Sequence, residues 1–303
     1  MKLLITGAWQ CKEAELAFLR GLGHAVVFMQ NEKDPLPCPP EEVEGVIGNA
    51  LFLYHPIEAF TRLRYVQLTS AGFDRMPMEE ASARGITVHN ARGVYSVPMA
   101  EHAVCGVLQL YRQARFFLEN QGKGVWEKHR GILELCGKTV AVVGCGSVGT
   151  ECAVRFSAFG CRVIGVDLYP KESVAYESIY PLSELDFALG EADVVVLTLP
   201  LTDATRHLMD AHRLAAMKKG ALLVNIARGA VMDTRALTEA LDAHLGGAVL
   251  DVFEEEPLPG DSPLWQRENV IITPHQSFVG DGNADRLFAV ILENLKKGTE
   301  CDA

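Results

Sequence analysis

Val140-Ala141-Val142-Val143-Gly144-Cys145-Gly146-Ser147-Val148-Gly149 is an apolar run that ends on a glycine and continues as Gly-x-Gly-x-x-Gly. In a strand-to-helix turn of this kind, Gly144 permits the tight turn, Gly146 lets the backbone approach a pyrophosphate, and Gly149 allows close helix–sheet packing. A helix following through Phe159 would aim its first amides, around Ser147 and Val148, at the phosphates with the favourable end of its dipole. Arg162–Asp167 reads as the next strand, and Asp167 falls 18 residues after Gly149. That is the spacing expected of the acid that accepts bonds from adenosine ribose hydroxyls. Taken singly, the glycines mean only a turn and Asp167 only a solvated strand end. Their order as strand, loop, helix, strand and acid is what points to a dinucleotide. A carboxylate at position 167 would repel an added 2′-phosphate, so NAD is expected over NADP.

Outward from this loop, Thr139–Val143, Arg162–Asp167, Val194–Leu199, Leu222–Ile226, Ala248–Val252 and Val270–Thr273 form a series of short, almost wholly apolar runs. Strands covered by helices on both faces have this composition. A second series precedes it: Leu3–Thr6, Ala25–Phe28, Val43–Ile47, Tyr65–Thr69 and Ile86–His89, alternating with the helical stretches Cys11–Leu22 and Met76–Arg84. Alternation of strand and helix implies parallel sheets, and two series imply two α/β units. Residues 1–97 with 279–303 are expected to form one domain and 98–278 the other. Between them Ser96–Leu118 reads as one long helix, with Pro98 suited to its first turn, running into a loop-rich arm through Leu135. Ser183-Glu184-Leu185-Asp186 resembles a capping box, Asp233 a helix cap, and Asp281–Leu295 a terminal helix. Thr6-Gly7-Ala8 loosely suggests another dinucleotide loop but lacks the later glycines.

The 303 residues carry 28 Lys and Arg against 39 Asp and Glu, a formal charge of −11. Such a balance argues against nucleic-acid or anionic-membrane partners, which need clustered cations. No apolar run approaches the roughly 20 residues of a membrane span. The opening Met1–Thr6 reads as a buried strand, because charged residues follow too soon for a signal peptide. Eight cysteines, among them Cys145 in the glycine loop and Cys301 near the end, show no Cys-x-x-Cys pair and no metal-ligand spacing. They are expected to be free thiols in a reducing cytoplasm, with no metal.

Three further segments close strands of the second series: Val224-Asn225-Ile226-Ala227-Arg228-Gly229, Leu250-Asp251-Val252-Phe253-Glu254-Glu255-Glu256-Pro257, and Ile272-Thr273-Pro274-His275. Ligands of open parallel sheets bind outside the carboxyl ends of the strands, so Arg228, Glu256 and His275 could share one crevice. With the glycine loop, these segments resemble the D-isomer-specific 2-hydroxyacid dehydrogenase family, over about Val66 to Gly298. The resemblance implies two Rossmann-like or flavodoxin-like domains with the active site in the cleft between them. It implies hydride transfer between NAD and the C2 carbon of a small 2-oxo or D-2-hydroxy acid, as in glyoxylate or hydroxypyruvate reductases. It also implies a homodimer formed through the 96–135 helix and arm.

Residue by residue, the resemblance makes Arg228 the group that holds the substrate carboxylate and polarises the 2-oxo group. His275 becomes the acid in reduction and the base in oxidation, and Glu256 the group that orients it and stabilises the imidazolium. Ala227 falls among the cofactor-binding positions, Asp251 at a position approaching the nicotinamide carboxamide, and Ser70-Ala71-Gly72 in the loop that receives the substrate carboxylate. Within Glu254-Glu255-Glu256 only the last matches the family's motif; the others read as a solvated acidic face. Phosphoglycerate dehydrogenases commonly carry an arginine where this chain has Leu68. An unphosphorylated substrate is therefore expected, with Arg75 and Arg92 as the cations that would contradict it. Formate oxidation on the same fold is disfavoured, because such enzymes pair the histidine with glutamine. An NAD(H)-sensing corepressor-like protein could keep all three residues, and a methyl or adenosyl transferase would leave them unexplained.

Overall fold

A computed structural model describes residues 1–300, with side chains as far as Lys296. The chain divides into two compact units, Met1–Tyr95 with the chain from Gly280 onward, and Ser96–Val279.

In the first unit, strands of three to five residues are joined by helices or, between β2, β3 and β4, by short 3-10 turns: β1 (Lys2–Thr6), α1 (Glu13–Gly21), β2 (Ala25–Met29), β3 (Gly45–Gly48), β4 (Tyr65–Leu68), α2 (Met78–Ala83) and β5 (Thr87–His89). The strands pair in parallel in the order β2-β1-β3-β4-β5, the flavodoxin-like arrangement. Period-2 alternation sends Leu4, Val46 and Val66 into a core with Phe60 and Leu63. Leu3, Ile5, Ile47 and Tyr65 face the opposite way, into a core with Trp9, Leu16 and Leu19. The order reverses between β1 and β3, where an open sheet offers a crevice for ligands. This chain fills that crevice itself. The Glu32 carboxylate accepts from the Thr6 hydroxyl at 2.8 Å and from the Asn49 and Ala50 amides at 2.7 and 2.8 Å. A Cβ on Gly7 would lie 2.3 Å from the Gln30 carbonyl oxygen. Thr6-Gly7-Ala8 is thus a packed turn with no room for a phosphate.

The second unit contains α3 (Ser96–Tyr111), α4 (Ala114–Lys123), β6 (Thr139–Val143), α5 (Ser147–Ala158), β7 (Arg162–Asp167), β8 (Ser178–Pro181), α6 (Leu185–Glu191), β9 (Val194–Leu197), α7 (Ala211–Ala216), β10 (Leu222–Asn225), α8 (Thr234–Ala243), β11 (Gly247–Leu250) and β12 (Val270–Ile272). Its seven strands are parallel, in the order β12-β11-β10-β9-β6-β7-β8, the doubly wound pattern with its switch point between β6 and β9. Every residue of β9, β10 and β11 is buried, because helices cover both faces. At roughly 1.5–3 kcal/mol for each fully buried Val or Leu side chain, these strands are a main source of the unit's stability. The last element, α9 (Asn283–Glu300), returns to the first unit, where Leu287, Ile291 and Leu295 join the Trp9 core.

Several sequence expectations give way here. The helix expected over Ser96–Leu118 breaks at Gln113, whose φ of 54° is left-handed. α3 is anchored by Ala100, Ala103, Val104, Val107 and Tyr111, whereas α4 buries no residue, so packing stops where the apolar stripe does. α4 then runs through Gly122 to a left-handed cap at Gly124. The Ser183–Asp186 capping box does not form: a short turn over Leu182–Glu184 precedes α6, and its cap residue, Glu184, makes no side-chain bond. Asp233 does cap α8, accepting from the Ala236 amide at 2.9 Å. Strand β8 was not foreseen, since an edge strand that ends on Pro181 has no long apolar run to announce it. Among the described residues no helix is long and apolar enough to cross a membrane. The seven described cysteines are free, and Cys301 lies outside the described residues. No described group of three or more His, Cys, Asp or Glu is arranged to hold a metal.

Candidate active site

The glycine loop joins β6 to α5, and its three glycines are glycine for different reasons. Gly144 has φ of 100°, and a Cβ there would lie 2.7 Å from the Leu199 amide nitrogen; one on Gly149 would lie 2.0 Å from the Gly144 carbonyl oxygen. The fold itself demands both. A Cβ on Gly146 would meet no protein atom within 4 Å, and its φ of −74° is open to any residue. The space above Gly146 is therefore open, with room for a ligand to approach the backbone. α5 begins at this point with no side-chain cap on its first turn, which presents the Ser147, Val148 and Gly149 end of the helix to an anion.

Asp167, at the end of β7, is tied to the same loop. Its Oδ2 accepts from the Cys145 amide at 2.7 Å and its Oδ1 from the Tyr169 amide at 2.9 Å. A carboxylate has about four acceptor positions, so each oxygen keeps capacity for one ribose hydroxyl. Thr198 donates its hydroxyl to the Gly144 carbonyl at 2.6 Å and fixes the turn from below. Burial pushes the Cys145 thiol up to about 11, which leaves it an inert filler of the loop. Groove, amides and acid together fit a dinucleotide.

The second cluster is assembled from β10, β11 and β12. Asn225, fully buried at the end of β10, accepts from the Ala227 amide at 3.1 Å and donates to the Arg228 carbonyl at 3.2 Å. This local ring shapes the turn that carries Arg228, whose Nη1 also donates to the Ala227 carbonyl at 2.8 Å. Gly229 presses that turn onto the next segment: a Cβ there would lie 1.8 Å from the Phe253 carbonyl carbon. The sequence offers Gly229 only as a turn residue; its need is close approach of two backbones.

Glu256 receives the Phe253 amide on Oε1 at 3.0 Å, and its Oε2 lies 2.8 Å from His275 Nδ1. With a carboxylate on one side, Nδ1 carries the proton and donates, and Nε2 is left for chemistry. The two side chains are 42% and 36% exposed, so the pair is open to a ligand. His275 has φ of 50°, a left-handed conformation that costs a histidine about 1–3 kcal/mol and is kept only where its surroundings enforce it. Enforcement comes from Asp251. Its carbonyl accepts the His275 amide at 2.8 Å, and its carboxylate accepts the Thr273 hydroxyl at 2.6 Å and the Gln276 and Ser277 amides at 2.9 Å each.

Asp251 is fully buried, with three donors on its carboxylate, and grips the histidine loop. Glu254 is more than a solvated acid. It accepts from His207 Nε2 at 2.6 Å and from the Thr234 amide at 2.9 Å, at the start of α8. Burial opposes its charge, but the bonds from Thr234 and His207 hold its carboxyl below the ordinary range. Glu255 remains exposed. Sequence reasoning also passed over Asn225 and Thr273, although both lie inside the quoted motifs.

In the first unit, the Ser70 hydroxyl donates to the Gly72 carbonyl at 2.9 Å and the Asn90 amide group donates to the Ala71 carbonyl at 2.5 Å, which orients the loop after β4. Leu68 is only 3% exposed and belongs to the core, while Arg75 and Arg92 are exposed.

Residues 104–277 match the family model of the D-isomer specific 2-hydroxyacid dehydrogenase NAD binding domain. A glyoxylate reductase of Korarchaeum cryptofilum is 35% identical over 78% of this chain and 74% of its own length. D-3-phosphoglycerate dehydrogenase of Methanocaldococcus jannaschii is 37% identical over 80% of this chain, but the match spans only 46% of that longer protein. Among solved structures, a D-isomer specific 2-hydroxyacid dehydrogenase family protein from Aeromonas salmonicida superposes with a TM-score of 0.85 at 31% identity, covering 99% of this chain and 96% of the other.

Proposed function

The chain belongs to the D-isomer-specific 2-hydroxyacid dehydrogenase family, and from that premise we propose that it interconverts a small, unphosphorylated 2-oxo acid of the glyoxylate or hydroxypyruvate class and its D-2-hydroxy acid. When bound, NADH supplies the hydride for reduction and NAD accepts it in oxidation. The observation that carries the reading is the His275–Glu256 pair, built beside the Arg228 turn at the carboxyl ends of adjacent strands.

With Nδ1 committed to Glu256, His275 Nε2 gives a proton to the 2-oxo oxygen in reduction and takes one from the hydroxyl in oxidation. Glu256 fixes the ring and stabilises the imidazolium while it exists, and the Phe253 amide fixes Glu256 in turn. Arg228 holds the substrate carboxylate through its planar fork of donors and stabilises charge growing on the 2-oxo oxygen. The amides of Gly146, Ser147, Val148 and Gly149 take the pyrophosphate, Asp167 takes the adenosine ribose, and the Ala227 backbone borders the cofactor. In the first unit, the Ser70-Ala71-Gly72 loop is the proposed substrate-binding segment, and bonds from the Ser70 hydroxyl and the Asn90 amide group tie down the Gly72 and Ala71 carbonyls.

Placement of Leu68 in the core supports an unphosphorylated substrate, since nearly two negative charges would otherwise need a cation that this position does not supply. The test is NADH consumption with glyoxylate, hydroxypyruvate, pyruvate, longer 2-oxo acids and 3-phosphohydroxypyruvate. Turnover should favour an unphosphorylated acid. Preference for the phosphorylated one, removed by Arg75→Ala or Arg92→Ala, would overturn the substrate assignment. No turnover of any 2-oxo acid by a folded, NADH-binding protein would favour an NAD(H) sensor.

The same proposal includes a cytoplasmic homodimer without nucleic-acid or membrane partners. The net acidity supports the absence of such partners, and exposed Leu118, Trp126 and Leu133 along α4 and the arm support pairing of two copies. A monomer by light scattering at assay concentration would refute the dimer.

A further inference from the structure

Behind the His275 loop stands a partly buried polar chain that the proposed chemistry does not use. Thr273, the residue after β12, donates its hydroxyl proton to Asp251 Oδ1 at 2.6 Å, and His102 on α3 places Nε2 3.2 Å from the same hydroxyl oxygen. A hydroxyl has one proton to give. With that proton committed to the carboxylate, the Thr273 oxygen is an acceptor toward His102, so His102 Nε2 carries a proton and donates it. Burial holds the His102 pKa below its ordinary value against the opposing pull of Asp251, the charged group that faces it. Neutral or protonated, Nε2 keeps its hydrogen, so the contact persists across the assay range.

From Asp251 the chain continues to the Gln276 and Ser277 amides and, through its carbonyl, to the His275 amide. The bonds therefore run from α3 to both sides of the one residue in this loop that is held in a left-handed conformation.

We propose that His102 is a positioning residue for the reaction: its Nε2–H, acting through Thr273 and the Asp251 carboxylate, holds residues 273–277 in the conformation that keeps His275 on Glu256. The inference rests on His275 being the proton donor. Removing the His102 donor frees the Thr273 hydroxyl to rotate away and leaves Asp251 Oδ1 with one donor in place of two. Misplacement of His275 then slows proton transfer while the glycine loop and Asp167, which hold the cofactor, are untouched.

The experiment compares kcat, the KM for NADH and melting temperature for His102→Leu, His102→Gln, Thr273→Val, the His102→Leu/Thr273→Val double variant, and His275→Asn. His102→Leu should lower kcat about tenfold or more, as misplacement of a reacting group does. The KM for NADH should stay within about twofold, the pattern of an interaction made only in the transition state. His102→Gln, which restores an N–H donor, should recover most of the rate, a result that loss of packing alone would not give. The double variant should be no slower than Thr273→Val, because both substitutions break one chain. Parental kcat in His102→Leu, no rescue by glutamine, or losses that multiply in the double variant would each overturn the proposal. His275→Asn separates the levels: if it retains parental kcat, the proton-transfer reading and this one fail together. If it is inactive while His102→Leu is parental, this one alone fails.

Discussion

Replacement of Asp167 by alanine should change which cofactor the protein uses, and the structure sets the size of the change. The carboxylate already accepts the Cys145 and Tyr169 amides, one on each oxygen, so each oxygen keeps capacity for one ribose hydroxyl. A hydrogen bond to a charged group is worth about 1.5–3 kcal/mol, so losing one ribose contact should cost NADH about 2 kcal/mol. On the other side, two unit charges 4 Å apart repel by about 4 kcal/mol at an effective dielectric of 20. Asp167 is half-buried, and solvent screening reduces this to about 2 kcal/mol of relief for the 2′-phosphate of NADPH. Together these give about 4 kcal/mol, a change on the order of a thousandfold in the ratio of kcat/KM for NADH to that for NADPH. The assay is initial rates with each cofactor at a fixed 2-oxo acid concentration. Asp167→Asn, which removes the charge but keeps one acceptor for the loop amides, should fall between parent and alanine variant. Loss of two amide bonds should also lower the melting temperature of Asp167→Ala by a few degrees, about 2–4 °C for each kcal/mol in a unit of this size. A parent that prefers NADPH, or an alanine variant whose ratio stays within about threefold of the parent's, would refute the reasoning.

Gly229→Ala should destabilise the protein by about 3 kcal/mol or more, because its Cβ would sit 1.8 Å from backbone that cannot retreat; an unchanged melting temperature would exclude this close approach. Arg228→Lys should lower kcat/KM about ten- to a hundredfold despite the retained charge, since an ammonium lacks the two-pronged fork; near-parental kinetics would remove Arg228 from the carboxylate. Iodoacetamide at pH 8 should label the exposed Cys105 and Cys136 well before Cys145. Burial raises the Cys145 thiol to about 11, so only about one molecule in a thousand is thiolate at pH 8, and labelling should rise about tenfold per pH unit toward 10. Mass spectrometry showing Cys145 modified as fast as Cys105 would contradict that environment.

The chain by itself determined the two series of parallel strands and the nucleotide loop, because these depend on local order: an apolar run, glycines at fixed offsets, an acid one strand later. The placing of Arg228, Glu256 and His275 just beyond strand ends was legible for the same reason, each lying in a short segment after an apolar run. Positions that depend on the far side of the sheet were not legible. Asp251 reads in sequence only as an acid at the end of an apolar run; that its carboxylate gathers three donors from the segment after β12 is seen only in the fold. His102 lies 171 residues from Thr273, and only the packing of α3 onto β11 makes them partners. The space at Gly146 and the crowding at Gly229 are likewise invisible in a string of letters, where both are simply glycine. Local spacing specifies which backbone conformations and chemical groups are present; which buried donor meets which acceptor is settled only when distant elements exclude water from between them.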